Sequence, residues 1–141
     1  MKLLTDTHSN ERFSLLGAAL IATQKVDFLL YRVIQPICKT HLSSEVKPLA
    51  NKTSDQFLQG TMKELKPVLS TLEETCSEQM PLTASELSDF IYKRNLITHQ
   101  FWQVTEADIK GSEKIANPED FLRNLLTECE AWQVKIEAKL G

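Results

Sequence analysis

Apolar residues recur along the chain at the three- and four-residue spacing of amphipathic helices, in four segments separated by polar connections. The first segment runs from about Asn10 to Gln35; Ser9 or Asn10 can cap it, and Pro36 is expected to stop or bend it. Its apolar residues form two adjoining stripes, Phe13, Leu16, Leu20, Thr23, Leu30 and Ile34 in one and Leu15, Ala18, Ala22, Val26, Leu29 and Val33 in the other. Because this combined arc is wider than one neighbouring helix usually needs, the helix is predicted to lie centrally in a bundle or to be shared with a second subunit.

The next segment begins after a polar stretch, residues 39–54, which contains Pro48. We expect this stretch to be a connection with room for one short helical turn. A second helix is predicted to start at residues 53–54 and to end at residues 77–81. Pro67 lies inside its apolar pattern, so a kink or break is expected there.

The third and fourth helices carry local start signals. Thr83 and Glu86 fit a capping box, in which each side chain accepts a hydrogen bond from the backbone of the other residue. Residues 103–117 are expected to form a loop. Asn117 can then cap the fourth helix, with Pro118 at its first position.

Four helices, short or medium connections and no strand signal predict an all-α fold, an antiparallel four-helix bundle of the up-and-down type. We expect a single helical domain over residues 1–141, with residues 1–9 as a mobile terminus, in a dimeric protein. Cys129 lies four residues after Leu125 and is interpreted as a small buried hydrophobe on the core face of the fourth helix.

Charge limits the partners that the chain can attract. Lysine and arginine total 16 against 19 aspartates and glutamates, and the formal net charge is −3. This balance provides no general attraction to nucleic acid, so any RNA contact needs a local cluster of basic residues.

The three cysteines indicate the compartment. Cys38, Cys76 and Cys129 are far apart and odd in number, as expected of reduced thiols in a cytosolic protein. Cys38 and His41 could form half of a zinc site, but no second pair follows at the required spacing, so we predict no metal and no cofactor. The amino-terminal residues have no apolar core of a signal peptide, and the most apolar run, residues 15–22, is too short to span a bilayer. A cytoplasmic protein without membrane contact is predicted.

The stretch RNLITH in the third helix carries the candidate chemistry. Asn95 and His99 are four residues apart and share one face of an α-helix. Arg94 and His99 are five apart, which separates them by roughly 140° around the axis at about 100° per residue. Both can therefore serve one small target only if the arginine curls round, if the helix bends near Thr98, or if a second copy of the helix lies across a two-fold axis.

This stretch resembles the Arg-x4-6-His signature of HEPN domains, here in the form Arg-Asn-x-x-x-His. HEPN domains are helical bundles, often homodimers, and many are metal-independent ribonucleases of toxin–antitoxin, phage-defence and RNA-processing systems. The resemblance implies that His99 is the catalytic histidine, that Arg94 binds phosphate and that Asn95 orients the site. It also implies an RNA substrate and an antitoxin or nucleotidyltransferase partner. HepT-type toxins usually have a tyrosine two places after the histidine, which their nucleotidyltransferase antitoxins modify; this chain departs from that pattern with Phe101.

The residue types suit RNA cleavage by the neighbouring 2′-hydroxyl. A histidine titrates near neutrality and can act as base or acid, and arginine offers a fork of donors to phosphate. Asn95 could hydrogen-bond His99 and select its tautomer, while Lys93 and Trp102 are candidates for substrate binding. Lys93, with Lys110, Lys114 and Arg123, could form a small basic patch.

Two other interpretations remain open from the residues alone. The chain could be a non-catalytic HEPN-like bundle that binds a partner protein or a nucleotide, with Arg94 and His99 occupied by structural hydrogen bonds. It could also be a bundle that merely dimerises, with both side chains dispersed over solvent. Trp102 and Trp132 have helical apolar spacing, which favours packing over base stacking.

Overall fold

A computed structural model describes residues 7–41, 43–60, 62–101 and 117–140. Helix α1 spans Thr7–Thr40, the short α2 Lys47–Ala50, α3 Met62–Cys76, α4 Ala84–Asn95 and α5 Pro118–Leu140. A π-helix over Leu96–Gln100 continues α4 directly. No strand occurs within the described ranges, and the helices form a bundle, which confirms the all-α class.

The core lies between two helix pairs, with α1 packed along α5 and α3 packed along α4. The π-helix and α2 also contact α1, so the long first helix is the element that most of the bundle shares. Fully buried side chains come from α1, α3, α4 and α5 and from the turn before α3, among them Leu30, Ile34, Phe57, Leu72, Phe90, Leu125 and Ile136. Cys129 and Trp132 are buried too, and the rings of Trp132 and Phe90 meet edge to face at 5.5 Å. The core interpretation of these two residues is therefore confirmed.

Helix α1 is longer at both ends than its sequence predicts. It begins at Thr7, so residues 7–9 are helical, whereas residues 1–6 of the expected mobile terminus lie outside the described residues. It also continues through Pro36 to Thr40, so the predicted end at Gln35 is wrong, whereas the bend expected as the alternative at Pro36 stays a prediction. Proline removes one backbone hydrogen bond, but Ile34 and Cys38 on either side are fully buried, and this packing keeps the backbone helical.

Helix α3 begins later than predicted, at Met62 instead of residues 53–54. The residues before it form turns that include Leu58 at φ +57° and Gly60 at φ +120°, both in the left-handed half of the backbone map. Phe57 and Leu58 are buried, so the apolar pattern attributed to a helix belongs here to a buried turn. Pro67 lies within α3, which is not broken there.

The helix starts predicted from local signals are confirmed. The Thr83 hydroxyl accepts from the Glu86 backbone N–H at 3.1 Å, and the Glu86 carboxylate accepts from the Thr83 backbone N–H at 3.1 Å. The Asn117 side chain accepts from the backbone N–H of Asp120 at 3.1 Å, and α5 starts at Pro118. The short turn expected near Pro48 is α2.

The outer face of α1 is unusually apolar. Phe13, Ile21 and Phe28 have 49%, 59% and 50% of their surfaces exposed. The segment Asn10–Thr40 is long and apolar enough to cross a membrane, with mean hydropathy 1.4 over 18 residues, of which 22% are buried. A core helix of a bundle passes the same test, and the other face of α1 packs against α5.

Candidate functional site

Arg94, the charged residue of the RNLITH stretch, is buried, with 4% of its surface exposed. Its Nη1 donates to the Asp27 carboxylate at 2.7 Å, and its Nη2 donates to the Leu58 carbonyl at 2.7 Å. Its Nε and Nη2 both donate to the Asn95 side-chain oxygen, at 3.3 and 3.1 Å. The guanidinium carbon also lies 5.8 Å from the centre of the Phe90 ring, within cation–π range.

Arg94 therefore joins three elements: α4, α1 and the turn before α3. The left-handed backbone of Leu58 is costly for a residue with a side chain, and the hydrogen bond from Arg94 holds its carbonyl in place. The Asn95 amide donates to the Gly60 carbonyl at 3.5 Å and supports the same turn. A guanidinium has five N–H groups, and these contacts leave one, on Nη1, without an acceptor among the described residues.

The π-helix resolves the angular problem posed by the spacing of Arg94 and His99. Hydrogen bonds in a π-helix run from residue i to i+5, so a residue five positions on returns to nearly the same side of the helix. With Leu96–Gln100 in this form, Arg94 and His99 line one groove of about 200 Å³. This groove, called the His99 groove below, is lined by Leu20, Thr23, Gln24, Asp27, Gln59, Arg94, Asn95, Thr98 and His99.

His99 differs from Arg94 in its surroundings. Its side chain is exposed, and among the described residues it makes no hydrogen bond or ion pair. The predicted hydrogen bond from Asn95 to His99 is not formed, because the Asn95 side chain is engaged by Arg94 and Gly60. The imidazole is thus available to a ligand in the groove, and Asn95 positions Arg94.

Asp27 completes the site and was not identified from the sequence. It lies on α1 in an apolar stretch, between Val26 and Phe28, and this charge within an apolar pattern was the available signal. Burial raises the pKa of Asp27 above its ordinary value, while the Arg94 guanidinium acts in the opposite direction. The ion pair neutralises much of the charge that Arg94 would present to a phosphate.

Lys93 does not belong to the groove. Its ammonium contacts Glu128 on α5 at 2.7 and 2.9 Å and Asp89 at 2.9 Å. Burial lowers the pKa of Lys93, but the hydrogen bonds to Glu128 and Asp89 outweigh it and raise the pKa above its ordinary value. Lys93 thus bridges α4 and α5 in this structure, and its substrate-binding role stays a prediction.

The wider basic patch is not assembled by the described residues. Arg123 pairs with Glu11 and Asp120 on an exposed surface, whereas Lys110 and Lys114 lie outside the described residues, as does Trp102.

Contacts within the fold account for the side chains of His41, Cys38 and Cys129. His41 Nδ1 accepts from the Ser43 backbone N–H at 3.0 Å, so its Nε2 carries the proton that faces the Thr75 hydroxyl at 2.7 Å. Burial raises the pKa of Cys38 to about 11 and that of Cys129 to about 12, which keeps both thiols protonated. The described residues contain no cluster of three or more metal-binding side chains.

Comparison with known proteins yields no match to this chain among protein-family models, curated proteins or solved structures.

Proposed function

We propose that the chain is a HEPN-like helical protein, and that it acts as a metal-independent endoribonuclease in the cytoplasm. The observation that carries this proposal is the π-helix, which brings an unengaged histidine and a buried arginine of the Arg-Asn-x-x-x-His stretch to one groove. π-Helical turns are rare and occur frequently at functional sites.

The chemistry assigned to His99 is proton transfer. The 2′-oxygen of a ribose attacks the adjacent phosphorus, the bond from phosphorus to the 5′-oxygen breaks, and the 5′-oxygen takes up a proton. The products are a 2′,3′-cyclic phosphate and a 5′-hydroxyl. An exposed imidazole can remove the proton of the 2′-hydroxyl or deliver a proton to the departing 5′-oxygen. Such proton transfer contributes about 10²–10⁴ in rate.

Arg94 has a restricted role in this proposal. Four of the five N–H groups of its guanidinium donate to Asp27, Leu58 and Asn95. Arg94 therefore cannot offer the two-pronged contact that arginine usually makes to phosphate. Its remaining N–H on Nη1 can donate one hydrogen bond to a phosphate oxygen. Arg94 is therefore chiefly a positioning residue, and His99 is the catalytic residue.

The proposal includes a homodimer formed through α1, in an antiparallel four-helix arrangement of each subunit. Phe13 and Ile21 are about half exposed, and Gly17 lies between them with open space around it. These residues occur every four positions on one side of α1, beside Leu20 and Gln24 of the His99 groove. Two copies that pair here bring their grooves near one seam, and the two imidazoles can divide the acid and base steps.

Cleavage of RNA in the presence of EDTA tests the proposal. The wild-type chain is expected to release 2′,3′-cyclic phosphate ends, and His99→Ala is expected to lose this activity with unchanged circular dichroism. His41→Ala, which removes an imidazole outside the groove, is the matched control and should retain activity. Cleavage that persists in His99→Ala, or that requires a divalent metal, would contradict the assignment.

A second candidate function is a non-catalytic HEPN-like bundle that binds a partner protein or a nucleotide. The four hydrogen bonds that Arg94 makes within the fold favour it, since this is the arrangement expected of a structural residue. A toxin partnered by a nucleotidyltransferase that modifies a tyrosine is disfavoured, because Phe101 is 6% exposed and its ring lies 6.4 Å from that of Phe121 in the core. An antitoxin of another kind remains compatible with the first proposal.

A further inference from the structure

A second recess adjoins the His99 groove and is larger, at about 330 Å³. It is lined by Gln24, Asp27, Phe28, Ser54, Asp55 and Gln59. Three of these residues, Gln24, Asp27 and Gln59, also line the His99 groove. We call it the Phe28 recess. A ligand whose phosphodiester lies beside His99 can therefore place an adjacent chemical group in this recess.

The Phe28 recess has the wrong charge for phosphate. Among the described residues that line it, the two ionisable side chains are the carboxylates of Asp27 and Asp55, and none is a lysine, arginine or histidine. Phe28 presents about half of its surface. An aromatic face with hydrogen-bond acceptors beside it suits a flat, uncharged group that carries N–H donors, such as a nucleobase.

The hydrogen-bonding groups at the recess discriminate between bases. The Thr53 hydroxyl donates to one oxygen of the exposed Asp55 carboxylate and so orients it. The side-chain amides of Gln24 and Gln59 make no hydrogen bond within the described part of the chain, and both residues are exposed. The recess therefore combines a fixed carboxylate with two adjustable amides.

Guanine matches this combination. Its Watson–Crick edge has two adjacent donors, the ring N1–H and the exocyclic amino group, followed by a carbonyl oxygen. A carboxylate accepts from both donors, and a glutamine amide donates to the carbonyl oxygen. Adenine and cytosine each place a ring acceptor beside the amino group, and uracil has one N–H between two carbonyls, so none of them satisfies the same carboxylate.

We propose that the Phe28 recess is a guanine subsite, in which Phe28 stacks on the base and Asp55 accepts from its Watson–Crick edge. The subsite rests on the proposed function, because the base reaches it as part of an RNA strand whose phosphodiester lies at His99. It assigns the ribonuclease a preference for cleaving next to guanosine.

Binding of short RNA whose 2′-oxygens are methylated tests the subsite without any cleavage. Oligouridine strands with one central guanine, inosine, adenine or cytosine are compared by fluorescence anisotropy. The guanine strand is expected to bind about tenfold or more tightly than the adenine strand. Inosine lacks the amino group and should bind with intermediate affinity.

Variants separate the two contacts. Asp55→Asn should remove the preference for guanine and leave the affinity for the other strands nearly unchanged. Phe28→Leu should weaken all four strands by about tenfold, because the stacking surface is lost whichever base is present. Tyr92→Leu, which alters an equally exposed aromatic residue of α4 outside the recess and outside the proposed dimer face, is the matched control and should leave binding unchanged.

The same variants, tested with unmodified RNA, distinguish failure of the subsite from failure of the nuclease. Cleavage without preference for guanosine, or equal binding of the four strands, would overturn the subsite alone. Guanine-selective binding without cleavage would overturn the nuclease and leave the subsite as a nucleotide-binding site. Absence of both binding and cleavage would overturn both.

Discussion

Arg94 and His99 line the same groove, but they differ in burial and in hydrogen bonding. Arg94 is buried and gives four hydrogen bonds to Asp27, Leu58 and Asn95, whereas His99 is exposed and unengaged among the described residues. The two halves of one short motif thus perform different tasks. One builds the wall of the groove, and the other is left available for a ligand.

The largest effect expected from this difference is on stability. Arg94→Ala leaves the largely buried Asp27 without its partner and removes the donor to the Leu58 carbonyl, so we expect a loss of about 3–5 kcal/mol in the free energy of unfolding. Urea denaturation followed by circular dichroism measures it. Lys93→Ala is the matched control: the carboxylates that pair with Lys93 are 43% and 35% exposed, and its loss should cost below about 1 kcal/mol. Equal losses for the two variants would remove the distinction between these neighbouring cations.

A second expectation concerns the titration of Asp27. Burial raises its folded-state pKa above the ordinary value of 3.8, and Arg94 limits that rise. Arg94→Gln should therefore raise the pKa further, as measured by carboxyl carbon shifts in NMR. Because the folded chain binds this proton more readily than the unfolded chain, the stabilisation from its protonation is fully present below pH 3.8 and is lost as pH rises through the folded pKa. A pKa that stays constant or falls in Arg94→Gln would show that the ion pair does not govern this carboxyl.

The smallest effect is expected at His99. Replacement by alanine removes an exposed side chain without a hydrogen bond in the described structure, so the free energy of unfolding should change by about 0.5 kcal/mol or less. The same denaturation experiment applies. A loss comparable to that of Arg94→Ala would mean that the imidazole also supports the fold, and the contrast between the two residues would disappear.

The sequence predicted features that depend on neighbouring residues and missed those that depend on distant ones. The caps at Thr83 and Asn117 are local hydrogen bonds, and both were identified. The end of the first helix at Gln35 and the start of the second helix were wrong because buried side chains outweigh local preference in α1 and in the turn at Phe57 and Leu58.

The site was partly predictable for the same reason. Arg94, Asn95 and His99 are visible as polar residues within an apolar helical pattern, but Asp27 is 67 residues away from Arg94. A change from α- to π-helix has no signature in apolar spacing, although a bend near Thr98 was one of the three arrangements that the sequence allowed for Arg94 and His99 to meet. The contact of Lys93 with Glu128, 35 residues away in the chain, was likewise not predicted from the sequence.

The contacts of Arg94 also bear on the order in which the chain folds. Its partners Asp27 and Leu58 are 67 and 36 residues away in the chain, so each contact closes a long loop. Such a contact forms only when other interactions offset the entropy lost on closing that loop. The capped helices α4 and α5 can form from local interactions beforehand. We therefore expect the groove to assemble late in folding, when α1, α4 and the turn at Leu58 dock onto one another.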